Sequence, residues 1–140
     1  MYRIDRDTLH SAISLLMASR ATCTRARVGC VFVKDGRIIV TGYNGAPSGM
    51  PHCTDEGCII SPETGGCDRC IHAEAGAISF AARHGISLEG SSLYITHSPC
   101  PSCAKLLVNS GVKKVVYRTP YRESALQYLV NAGLEVAQIG

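Results

Sequence analysis

At 140 residues the chain has the length of one domain, 1–140, large enough for a single core. A net charge of +3 is too small to announce a nucleic-acid surface, and no apolar run nears the roughly 20 residues of a membrane span. No signal-peptide layout opens it, and its eight cysteines read as reduced thiols of a cytoplasmic protein rather than a disulfide scaffold.

Leu9, Ile13, Leu16 and Met17 recur at helical spacing, which predicts a first helix over 7–19 with these side chains on its buried face. Asp5 or Asp7 is suited to cap it. Val28 to Val33 and Arg37 to Tyr43 flank Asp35-Gly36, a strong hairpin signal. A Gly-, Pro- and Cys-rich connection from Asn44 to Cys70 follows without a clear period, a length that usually means function or a metal clamp. A helix over 72–84 stops at Gly85, and Leu93 to Thr96 reads as a strand running into Pro99. A third helix to Ser110, a strand from Val112 to Tyr117, a helix from Glu123 to Ala132 and a strand from Glu135 to Ile139 complete the chain. The alternation predicts an α/β fold, a mixed sheet covered by helices on both faces.

Two short segments carry chemistry. His72-Ala73-Glu74 and Pro99-Cys100-Pro101-Ser102-Cys103 supply one imidazole, two thiolates and one carboxylate. Three ligands plus an open position suit catalytic Zn²⁺, and H-x-E with P-C-x-x-C is the pattern of zinc nucleobase deaminases. Cys100 and Cys103 at a helix start share one face, and Pro101 in the first turn costs no hydrogen bond. His72 and Glu74 lie about 200° apart on an ideal helix, so they converge only if His72 occupies the cap. Glu74 is then the proton carrier rather than a ligand. A closed structural zinc or a redox C-x-x-C pair is the alternative.

Around these segments, Gly42-Tyr43-Asn44-Gly45 and Ser98 to Lys105 complete a set of motifs that resembles the deoxycytidylate deaminases of the zinc-dependent cytidine deaminase superfamily over nearly the whole chain. Gly76 departs from that pattern, which has Asn there. The resemblance implies a three-layer α/β/α fold with a five-stranded sheet, and hydrolysis of dCMP to dUMP and ammonia, which feeds thymidylate synthesis. It implies that Zn²⁺ on His72, Cys100 and Cys103 activates water while Glu74 moves its proton. The Ala73 N–H would read the cytosine O2, and Asn44 would hold the sugar. It further implies a homo-oligomer, a hexamer, activated by dCTP and inhibited by dTTP. Mg²⁺ would sit on the effector phosphates, Gly42, Tyr43, Asn44 and Gly45 at the effector site, and Phe80 and Arg83 near a subunit interface. The neighbouring alternatives are tRNA adenosine, cytosine or guanine deamination, or a non-catalytic zinc-stabilised binding module.

Arg27, with Arg25 beside it, is the candidate for the 5′-phosphate because guanidinium suits bidentate phosphate binding, and Tyr121 and Arg122 are weaker ones. Cys23, Cys53, Cys58, Cys67, Cys70 and His52 offer donors for a second, structural zinc in the long connection, where Cys67-x-x-Cys70 has ligand spacing and Cys23 and Cys53 could complete the set. Equally, several of these thiols can be small buried apolar groups, as Cys30 within its strand is expected to be.

Overall fold

The computed structural model describes residues 2–140. Five helices and five strands follow in the order α1 (Arg6–Ala18), β1 (Gly29–Lys34), β2 (Arg37–Tyr43), α2 (Cys53–Glu56), α3 (Ala73–His84), β3 (Ser92–His97), α4 (Pro101–Asn109), β4 (Lys114–Thr119), α5 (Glu123–Asn131) and β5 (Glu135–Gln138). The strands form one sheet, β2-β1-β3-β4-β5. β1 pairs antiparallel with β2 and β3, whereas β3, β4 and β5 run parallel. The expected mixed five-stranded sheet between helices is the observed one.

Alternation along the strands assigns the layers. Cys30, Phe32, Leu93, Ile95 and Val115 face α3, α4 and α5, where Ala73, Ala77, Leu107 and Leu129 fill the larger core. Val31, Val33, Tyr94 and Val116 point the other way, against Ile13 and Met17 of α1. Burying each large aliphatic or aromatic side chain contributes about 1.5–3 kcal/mol. The β1–β2 hairpin turns at Asp35 and Gly36, both at positive φ (51° and 75°), as its two-residue turn requires.

The first helix corrects the sequence reading. Asp5 caps it, accepting the Thr8 N–H at 2.7 Å. However, Leu9 and Leu16 are exposed, and the buried side is His10, Ser11, Ser14 and Ala18. The reason is proximity. A Cβ on Gly29 would stand 2.2 Å from both Ser14 O and Ala18 N, so α1 rests on β1 through small groups. Larger side chains at Ser14 or Ala18 would push the layers apart.

The long connection is structured rather than irregular. Gly45 and Ile71 pair backbone to backbone at its two ends, α2 lies near its start, and an Ile60–Cys67 bridge forms a small hairpin further on. No helix is long and apolar enough to cross a membrane among the described residues.

Candidate metal centre and nucleotide cavity

Both chemical segments fall at helix starts. His72 is the N-cap of α3 with extended backbone (φ −65°, ψ 151°), outside the first turn. Cys100 is the N-cap of α4, Pro101 follows it, and the Cys100 sulfur accepts the Cys103 N–H at 3.5 Å. β3 runs directly into this cap, so the cysteine pair stands beyond the carboxyl end of a sheet strand, where open α/β sheets form their clefts.

The cap positions bring the donors together. His72 Nδ1 lies 3.5 Å from Cys100 Sγ and 3.4 Å from Cys103 Sγ. The three ligand atoms lie within 4.8 Å of one another, a spread that a tetrahedral zinc with bonds of about 2.0–2.3 Å spans. A hydrogen bond with Cys103, helped by His72, draws the Cys100 thiol down to about 3, while the same hydrogen bond and burial push Cys103 up. Hydrogen bonding to Cys100 raises His72. Two sulfurs and one imidazole nitrogen form a donor set that suits a soft or borderline divalent ion. Glu74, two residues into the helix, is only 4% exposed. Burial chiefly raises its carboxyl, and His72 opposes that shift.

A cavity of about 230 Å³ opens beside these groups. His72, Ala73, Glu74 and Cys100 line it, together with Asn44, Arg25 and Tyr121. Ala73 is the first residue of α3, so its N–H is one of the helix's unpaired donors. Asn44 is buried and clasps the neighbouring backbone through Val28 N–H and Ala26 O. This explains the arginines. The clasp grips the chain on both sides of Arg27, which is exposed and does not line the cavity, whereas Arg25 does. Tyr121 reaches the cavity with its N–H held by Ser98 Oγ at 2.7 Å, and Arg122 lies over the Tyr121 ring. His97 and Ser98 also line it. Ser98 was visible in the cysteine motif, but no spacing signal singled out His97.

In the G-Y-N-G segment, Gly42 has a packing role. A Cβ there would stand 2.4 Å from Ala73 O, so only glycine lets β2 meet the start of α3. Gly45 makes the Ile71 pairing, and Arg20 lies over the Tyr43 ring. Phe80, half exposed, stacks on His84 one turn on, and Arg83 also lies in that last turn of α3. At Gly76 a side chain would meet nothing closer than Ile71 Cγ2 at 3.7 Å, so the glycine answers no steric demand.

A second donor cluster stands nearby. The sulfurs of Cys23, Cys53, Cys67 and Cys70 lie within 4.8 Å of one another, with Cys53 3.5 Å from Cys67 and 3.3 Å from Cys70. These are the C-x-x-C pair and its two named completions, and the other two candidate donors stand apart. Cys58 lies 4.0 Å from Cys23 and bonds Thr24. His52 Nδ1 accepts the Ala46 N–H and pairs with Thr22 Oγ1, which leaves it a tie within the connection. Cys30 is a fully buried thiol, as expected. Cys23, Cys67 and Cys70 also line the cavity beside His72, so the two clusters share a wall.

Comparison with known proteins agrees with this geometry. Residues 4–119 match the family model for the cytidine and deoxycytidylate deaminase zinc-binding region. The chain belongs to that zinc-binding deaminase family. Among its relatives, deoxycytidylate deaminase of Enterobacteria phage T4 is 37% identical, over 91% of this chain and 86% of that protein. ComE operon protein 2 of Bacillus subtilis is 39% identical over 99% of this chain and 74% of that one. The crystal structure of dCMP deaminase from cyanophage S-TIM5 in complex with dCMP and dUMP superposes with a TM-score of 0.84 at 33% identity, covering 99% of this chain and all (100%) of that one.

Proposed function

We propose that the protein is a deaminase that hydrolyses dCMP to dUMP and ammonia. The observation that carries this reading is the buried Glu74 carboxyl beside the His72–Cys100–Cys103 cluster in one nucleotide-sized cavity. Relatives named deoxycytidylate deaminase and the S-TIM5 complex support dCMP as the substrate.

His72 Nδ1 and the Cys100 and Cys103 sulfurs would hold the zinc. Zinc bound there supplies the Lewis acidity that lets a water act as a nucleophile near neutral pH. The Ala73 N–H fixes the base by donating to the cytosine O2, which aims C4 at the cluster. Glu74 takes one proton of the attacking water and passes it to N3, then takes the second from the hydroxyl added at C4 and delivers it to the departing amino group, so that C4 becomes the carbonyl of uracil and ammonia leaves. Burial keeps bulk water from competing for that proton. Asn44, on the cavity wall, holds the sugar, and Arg25, on the same wall, takes the 5′-phosphate in place of Arg27.

The finer properties belong to the same proposal. Cys23, Cys53, Cys67 and Cys70 hold a second, structural zinc, supported by their convergence. The eight free cysteines favour the reducing cytoplasm. A hexamer controlled by dCTP and dTTP with Mg²⁺, and a role in thymidylate supply, rest on the resemblance at Gly42 to Gly45 and on the exposed Phe80.

Ammonia release from dCMP, CMP, deoxycytidine and adenosine tests the reading. dCMP should be the best substrate. Glu74→Gln should keep its zinc yet lose about 10²–10⁴-fold in turnover, the range of general acid–base catalysis. Preference for adenosine, or an undiminished Glu74→Gln enzyme, would refute it.

A further inference from the structure

His97 ends β3 three residues before Cys100 and lines the cavity, yet the mechanism gives it no part. Its ring is held by its neighbour. Thr96 is buried, and its Oγ1 accepts the Gly29 N–H at 3.1 Å and lies 3.0 Å from His97 Nδ1. Oγ1 already accepts the Gly29 N–H and keeps its own proton to donate, so we assign that proton to the contact with Nδ1, which places the ring proton on Nε2. Among the described residues the ring's one hydrogen-bond contact is through Nδ1, which leaves Nε2 free to face the cavity. Burial disfavours the imidazolium form, so the cavity wall carries a neutral N–H donor.

Two consecutive backbone donors locate that group. Val28 N–H goes to Asn44 Oδ1, and Gly29 N–H goes to Thr96 Oγ1. Asn44 and His97 are thus stitched to adjoining residues of one segment and border one part of the cavity. The base edge is answered by Ala73 and Glu74 and the phosphate by Arg25, which leaves the sugar hydroxyl for this stretch of wall.

We propose that His97 donates its Nε2–H to the 3′-hydroxyl oxygen of the bound nucleotide and helps select 3′-hydroxylated substrates. The assignment rests on the nucleotide reading above. His97 acts here in binding, beside Asn44, and takes no part in proton transfer.

Titration calorimetry of the zinc-loaded protein with dUMP and with its 3′-deoxy analogue tests the contact without turnover. The parent should bind dUMP about three- to tenfold more tightly than the analogue, the scale of one neutral hydrogen bond. His97→Leu should narrow that ratio while binding the analogue as the parent does, and His97→Gln, which keeps a donor, should restore part of it. An equal ratio in parent and His97→Leu, no preference in the parent, or no recovery in His97→Gln would each overturn the assignment. Ammonia release from dCMP by the same parent is read separately. Its absence beside a retained dUMP preference would remove the deaminase reading and leave the contact standing.

Discussion

Asn44 Oδ1 accepts the Val28 N–H at 2.8 Å, and through this bond the end of the hairpin fixes the segment that enters it. The same amide donates to Ala26 O at 2.7 Å. Asn44→Ala would leave a partly buried N–H and a carbonyl unpaired, at a cost of about 1–3 kcal/mol. Asn44→Asp keeps the acceptor but sets an anion against Ala26 O. Both should lower the melting temperature and raise KM for dCMP, with Asp the worse in KM relative to its stability loss. Unchanged melting in both variants would show that the clasp is dispensable.

Arg25 lines the cavity and Arg27 does not. Arg25→Ala should therefore weaken dCMP by about ten- to a hundredfold, as for one lost charge-assisted contact, and leave deoxycytidine little changed. Arg27→Ala should affect both substrates weakly and alike. The reverse pattern in kcat/KM would return the phosphate to Arg27.

Metal analysis of pure protein should find two zinc ions per chain, and Cys53→Ser should lose one while keeping the ion at His72. Cys58→Ser should keep both, since Cys58 lies outside the four convergent sulfurs. Because Cys67 and Cys70 form part of the cavity wall, Cys53→Ser should also raise KM for dCMP, not only lower stability. One zinc in the parent would make these thiols packing groups.

His10 is buried, its Nδ1 has no partner among the described residues, and its pKa is lowered mainly by that burial, with Asp7 opposing and Arg6 assisting. The unfolded chain then binds the proton more readily than the native one. Stability contributed by neutral His10 is complete above an unfolded pKa of about 6.5 and is lost as pH falls below it. Between pH 7.5 and 5.5 the melting temperature of the parent should fall further than that of His10→Gln. Parallel curves would show that His10 does not titrate differently in the two states.

What the sequence made legible was whatever depends on local spacing. His72 at a cap, Cys100 and Cys103 on one turn, the Asp35-Gly36 hairpin, the stop at Gly85 and the third helix's end at Ser110 all follow from near neighbours. What it hid depends on distant partners. Leu9 and Leu16 obey helical periodicity yet face outward, because Gly29, far along the chain, admits the Ser14 side instead. His52 is tied to Thr22 and Ala46 and Cys58 to Thr24, and the clasp of Asn44 around Arg27 leaves Arg25 on the cavity wall. The tautomer at His97 needed the Gly29–Thr96 contact.

The Gly45–Ile71 pairing closes the long connection like a drawstring, and within it Ser61 and Gly66 close a smaller loop whose Pro62–Gly65 tip is exposed. The Pro62–Gly65 tip supplies no group to either site, while Gly66 and Cys67 directly behind it line the cavity. A fluorophore or short affinity handle on the tip would stand in solvent, separated from the sites by the Ser61–Gly66 closure.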